Sequence, residues 1–247
     1  MFEGCYSLTS LYISNFRTDK VLNMSGMFKD CKLISSLDTS KFETINVKDM
    51  SRMFKNCEKL AFLDVSHFNT ENVLDMSEFF QNCQLLEKID VSNFITSHVK
   101  DMSSFFDGCI SLKSLSLENF DTKEVFNMSK IFKDCSKLTE ADVSNFQTNK
   151  VKDMSYMFYN CKTLYEIDVK KFDTSLVTNM QYMFYYCWAI YDLGTENFNT
   201  SNVEDMSYMF NNVNKLSTID VKNFDTRKVV DMSSMFGYNS GLISLDL

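Results

Sequence analysis

Apolar residues recur along this chain in a fixed order of spacings. Between residues 44 and 69, Val47, Met50, Phe54 and Cys57 stand three, four and three positions apart. At roughly 100° per residue they fall within an arc of about 80°, which predicts one face of a short helix. Asp49 just before it is expected to be the N-cap, because a short side-chain acceptor can bind the open amides of a first turn. The period then changes. Leu60, Leu63 and Val65 lead to Phe68, with Leu63 and Val65 alternating about an outward Asp64 as in a half-buried strand.

The same order returns every 26 residues. Cys5, Cys31, Cys57, Cys83, Cys109, Cys135, Cys161 and Cys187 keep that interval, and Val213 and Asn239 continue it. Phe16 to Phe224, Thr18 to Thr226, Val21 to Val229 and Met24 to Met232 form further columns, and all sixteen methionines lie either in the column of Met24 or in that of Met27, where Met1 also falls. A propeller blade needs about 40 residues, so this period predicts a solenoid. The expected fold is an α/β solenoid, leucine-rich-repeat-like, with about nine and a half coils of 26 residues. Each coil would carry one short parallel β-strand and one short helix, neither of which buries its apolar face without the next coil. Residues 1–247 read as a single array. Met1-Phe2 starts inside a repeat and Ser244-Leu245-Asp246-Leu247 stops on a strand. This suggests a segment of a longer array without end caps, open to end-to-end self-association.

The run Val-x-Asp-Met-Ser-x-Met-Phe-x-Asn-Cys-x-x-Leu-x-x-Leu-Asp-Val-Ser-x-Phe, from Val47 to Phe68 and again with small changes from Val151 to Phe172, resembles the BspA-like leucine-rich repeat family. More narrowly, it resembles the branch found on mycoplasmas, some lactic-acid bacteria and certain parasitic protists. The resemblance spans essentially the whole chain. It implies a secreted or cell-surface protein that binds a protein or glycan on another cell or host surface.

Composition follows from the unit. Phenylalanine, methionine and cysteine are abundant because the same core positions are filled repeatedly. Proline is absent, as expected where nearly every residue must hydrogen-bond to the next coil. A net charge of −8 argues against nucleic acid as a partner. No apolar run approaches the ~18–20 residues of a membrane helix, so direct membrane insertion is not expected. The cysteines are expected to be free buried thiols in one column, because parallel side-chain vectors do not suit the disulfide torsion. Spacings of 26 match no zinc motif. His67 and His98 occupy different columns, and no phosphate loop or nucleophile elbow occurs, so neither enzyme activity nor a cofactor is expected. The threonine column is expected to bond locally, at the turn before Val47 and its equivalents.

Two surface features remain. The outward strand column holds Asp38, Asp64, Asp90, Asp142, Asp168, Asp220 and Asp246, interrupted by Ser116 and Gly194. Each Asp could bond the residue two positions on, as Asp64 to Ser66; alternatively the column forms an acidic face for Ca²⁺ or a basic partner. The second feature is aromatic. Tyr156, Tyr159, Tyr165, Tyr182, Tyr185, Tyr186, Tyr191 and Tyr208 fall within one stretch that also holds the only tryptophan, Trp188, all outside the core columns. Such a cluster suits a protein or sugar contact. A surface-displayed interaction or adhesion module is the leading reading, with a structural spacer in a larger surface protein as the alternative.

Overall fold

The computed structural model describes residues 1–246, with Asp246 described for its backbone only. It is a solenoid whose coils are joined by hydrogen bonds between residues about one repeat apart. Parallel strands are short: β1 (Ser36–Leu37) pairs with β2 (Phe62–Leu63), β3 (Ser114–Leu115) with β4 (Glu140–Ala141), and β5 (Thr218–Asp220) with β6 (Ser244–Asp246). The register is one repeat, Leu37 facing Leu63. A longer ladder of single parallel bridges runs from Asn23 through Asp49, Asp75, Asp101, Asn127, Asp153, Asn179 and Asp205 to Asp231.

The expected helix is absent. The only helical piece among the described residues is one 3₁₀ turn, Thr195–Asn197. An α-helix would direct each amide to the carbonyl four residues back. Here Met50, Arg52, Phe54 and Asn56 donate instead to the carbonyls of Asp75, Ser77, Phe79 and Gln81 in the next coil, at 2.7–3.0 Å. The amides between them close turns within the coil, Met53 to Met50, Lys55 to Arg52 and Cys57 to Phe54. Arg52 and Asn56 have φ of 58° and 59°, the left-handed conformation that a type II turn requires at its third residue. Two such turns, four residues apart, repeat the 3-4-3 spacing of a helix face with none of its hydrogen bonds. The architecture is therefore a strand-and-turn solenoid and not α/β.

The acceptor role expected of Asp49 survives without the helix. Its Oδ1 accepts the Ser51 amide at 2.9 Å and the Ser51 hydroxyl at 2.7 Å, an Asx turn that opens the turn segment. Asn23, Asp75, Asp101, Asn127, Asp153, Asn179, Asp205 and Asp231 do the same with the amide two residues on.

The buried columns divide the internal work. Phe2, Phe28, Phe54, Phe80, Phe106, Phe132, Phe158, Phe184, Phe210 and Phe236 form one continuous stack, with centroids 5.5–6.1 Å apart. All eight cysteines are free, and all but Cys5 are fully buried. From Cys31 to Cys187, each thiol donates to a phenylalanine carbonyl of the preceding coil at 3.0–3.2 Å, as Cys83 does to Phe54. Asn239, standing where the period would place cysteine, keeps that bond through Nδ2 to the Phe210 carbonyl at 2.7 Å. Cysteine is thus a small apolar filler that carries one donor, and burial pushes the Cys31 thiol up to about 11 and those of Cys83, Cys135 and Cys161 well above their ordinary value.

The threonine carbonyls close the expected local turn, as Thr44 does by accepting the Val47 amide at 2.9 Å, but the hydroxyls bond to the next coil instead. Thr70 is fully buried; its hydroxyl donates to the Ile95 carbonyl at 2.9 Å and accepts the Ile95 amide at 2.7 Å. Thr44 does the same with Asn69. A side chain here substitutes for a missing backbone partner where the coil turns and successive backbones cannot meet directly.

Candidate functional site

Seven of the nine aromatic residues singled out from sequence come together, and the repeat explains how. Tyr156, Tyr182 and Tyr208 occupy one column, and their rings stack at 4.8 and 4.6 Å, within 9° of parallel. Tyr159 and Tyr185 occupy a second column and stack at 4.9 Å. Tyr185 contacts Tyr186 at 4.6 Å, and Tyr186 contacts Trp188 at 5.4 Å. The two columns also touch, Tyr182 meeting Tyr185 edge-on at 5.2 Å. The result is a continuous aromatic sheet over the turn segments of three coils. Its tyrosines are half-buried, and Trp188 is 42% exposed.

Lysines close one flank. Lys130, Lys133 and Lys162 stand one coil earlier in the columns of Tyr156, Tyr159 and Trp188, and place Nζ 5.7, 5.6 and 5.3 Å from those ring centroids. Lys133 also pairs with Asp134 at 2.6 Å and with the buried Asp107 at 3.3 Å. These lysines were not singled out from sequence. Reading one repeat back from each aromatic residue in its own column would have found them.

The backbone under the sheet carries strain. Tyr156, Tyr182, Tyr186 and Tyr208 have φ of 57–59°, where a bulky side chain costs about 1–2 kcal/mol relative to glycine. Gly26 occupies the same column as Tyr156. Partial burial raises the phenols of Tyr156, Tyr159 and Tyr182 above their ordinary pKa and pushes Tyr185 up to about 12, so all four keep their hydroxyl proton at neutral pH.

Tyr165 and Tyr191 do not join the sheet. Both belong to the strand segment, 42% and 60% exposed. Tyr191 lines a shallow depression there with Glu166, Asp168, Lys170 and Asp192. The acidic column lies on the same face. Asp38, Asp64, Asp90, Asp142, Asp168 and Asp220 each accept, through Oδ1, the amide of the residue two positions on, at 2.9–3.2 Å. Side-chain hydrogen bonds with Ser40, Ser66, Ser92 and Ser144, and after them these amide bonds, hold the carboxyls of Asp38, Asp64, Asp90 and Asp142 below the usual range. Local bonding thus occupies one oxygen of each, and among the described residues no group of three or more His, Cys, Asp or Glu is arranged to hold a metal ion. The side chain of Asp246 lies outside the described residues.

A family described as "Mycoplasma protein of unknown function, DUF285" matches residues 1–89, 74–190 and 163–244. The chain belongs to this family. The BspA-like character read from the repeat agrees with that membership. Among solved structures, a leucine-rich repeat protein from Bacteroides ovatus is similar over 89% of this chain and 68% of its own, at 17% identity and a TM-score of 0.39. One from Eubacterium ventriosum is similar over 84% and 63%, at 14% identity and 0.40. A leucine-rich cell surface protein from Faecalibacterium prausnitzii is similar over 95% and 80%, at 13% identity and 0.30. No curated protein matches the chain significantly. No helix among the described residues is long and apolar enough to cross a membrane.

Proposed function

We propose that this member of the family is a non-enzymatic interaction and adhesion module, displayed at the cell surface, whose aromatic sheet contacts a protein or glycan of another cell. One observation carries the reading: seven aromatic side chains on consecutive coils form one continuous outer layer, at positions that the repeat elsewhere fills mostly with glycine and with polar or charged residues. Large, rigid, amphipathic side chains bury much area at low conformational cost, which is why tyrosine and tryptophan dominate binding hot spots. Stacking within the columns favours a protein over a glycan. Rings in the middle of a stack cover each other's faces and offer edges and hydroxyls outward, whereas sugars pack on open ring faces.

The test is a variant in which Tyr182, Tyr185 and Trp188 are all changed to Ser, compared with the parent chain for binding to intact host cells. Affinity is expected to fall about tenfold or more, as for loss of central aromatic anchors, with the thermal transition retained. Unchanged binding by a folded variant would reject the sheet as the contact surface and leave the spacer reading.

A further inference from the structure

We propose that the stacked tyrosine columns are an oxidative cross-linking site, where one-electron oxidation joins rings of neighbouring coils by carbon–carbon bonds and staples the solenoid. The inference does not depend on whether the sheet binds a partner. It rests on three same-column pairs, Tyr156 with Tyr182, Tyr182 with Tyr208 and Tyr159 with Tyr185, whose centroids lie 4.8, 4.6 and 4.9 Å apart at interplanar angles of 9°, 5° and 9°. Rings so close and so nearly parallel, carried at the same position of successive coils, are placed for their ortho carbons to meet. The backbone holds them there. The Tyr156 amide donates to Gln181 and the Tyr182 amide to Ser207, so the coils that carry the rings are bonded directly beneath them.

The chemistry balances. Each phenol gives up one electron and its hydroxyl proton. The two phenoxyl radicals combine at their ortho carbons, and the hydrogen displaced from each of those carbons moves to the oxygen, restoring both phenols. The net loss is two electrons and two protons, which hydrogen peroxide, acting through a peroxidase, accepts to form two waters. Trp188, exposed and in contact with Tyr186, which touches Tyr185, gives the oxidant an entry point into the stack. Tyr182 belongs to two pairs and has two ortho carbons, one for each neighbour. The ladder therefore accepts up to three bonds, Tyr159 to Tyr185, Tyr156 to Tyr182 and Tyr182 to Tyr208.

Geometry and exposure predict different products, which makes the idea testable. Tyr12, Tyr238, Tyr191 and Tyr6 are the most exposed tyrosines, at 92%, 80%, 60% and 58%, and none of them has a ring contact among the described residues. The full chain, dilute, is treated with a haem peroxidase and hydrogen peroxide, and its linked peptides are mapped by mass spectrometry. The expected product is a monomer with dityrosine fluorescence, linked at Tyr159–Tyr185 and at Tyr156–Tyr182, Tyr182–Tyr208 or both. Its melting temperature is raised, because each bond closes a loop and restricts the unfolded chain. The Tyr182→Phe, Tyr185→Phe double variant keeps the stacking but removes one phenol from every same-column pair. Its fluorescence yield is expected to fall several-fold, with little change in melting temperature before oxidation. Links dominated by the four exposed tyrosines, dimers as the main product, no dityrosine, or equal yield from the double variant would each overturn the proposal.

Discussion

Gly26 and Gly108 share a left-handed backbone, at φ of 58° and 74°, but not a neighbourhood. A Cβ on Gly26 would come no closer than 3.6 Å to any atom, and other coils place Arg52, Glu78 or Lys130 in that column. A Cβ on Gly108 would fall 2.1 Å from Oδ1 of Asn82, whose Nδ2 is already held by Asn56 at 2.7 Å. Gly26→Ala should therefore cost about 1 kcal/mol, the price of the left-handed conformation alone. Gly108→Ala should cost about 2–3 kcal/mol, since Asn82 must also move and its ladder bond is strained. Urea midpoints of the two variants check the difference; equal shifts would show that the side-chain ladder contributes nothing.

At the scale of the element, the turn segment and the threonine column show what the sequence could reveal. The period, the core columns and the alternation of Leu63 and Val65 about Asp64 were legible, because burial follows the repeat whatever the local hydrogen bonding. The turns were not, since a 3-4-3 spacing is shared by a helix face and by consecutive turns. One signal was available: Gly4, Asp30, Asn56, Asn82, Gly108, Asp134 and Asn160 share a column, and glycine, asparagine and aspartate are the residues that tolerate positive φ. The aromatic sheet was legible as a cluster in sequence, but only the coil geometry separates Tyr165 and Tyr191 from it. Threonine burial leads to a prediction. Thr70→Val preserves shape but leaves the Ile95 amide and carbonyl without their partner, and each buried orphan costs about 1–3 kcal/mol. A loss of about 2–4 kcal/mol in urea unfolding is expected. The exposed Thr226, which has no following coil in the structure, should tolerate the same change within about 0.5 kcal/mol.

For the molecule as a whole, nearly every stabilising contact joins a coil to its neighbour, so stability is close to a sum of unit and interface contributions. The phenylalanine stack, the thiol bonds and the threonine bonds all repeat in the same register, and none of these core contacts depends on a particular coil number. Removing one whole unit should therefore leave a foldable protein. Deletion of residues 67–92 joins Ser66 to Asn93, which enters the column of His67, and brings Phe106 into position to stack on Phe54. The shortened chain is expected to unfold in one cooperative transition, with its urea slope lower by about a tenth, in proportion to the surface removed. Deletion of residues 67–79, half a unit, places core columns opposite turn columns for the rest of the chain, and the cooperative transition should be lost. A half-unit deletion that unfolds as sharply as the parent would show that the coils are not bound to a common register. Because Tyr156 to Tyr208 lie beyond both deletions, the whole-unit variant should also retain the cross-coil tyrosine links, which separates the register of the array from the chemistry carried on it.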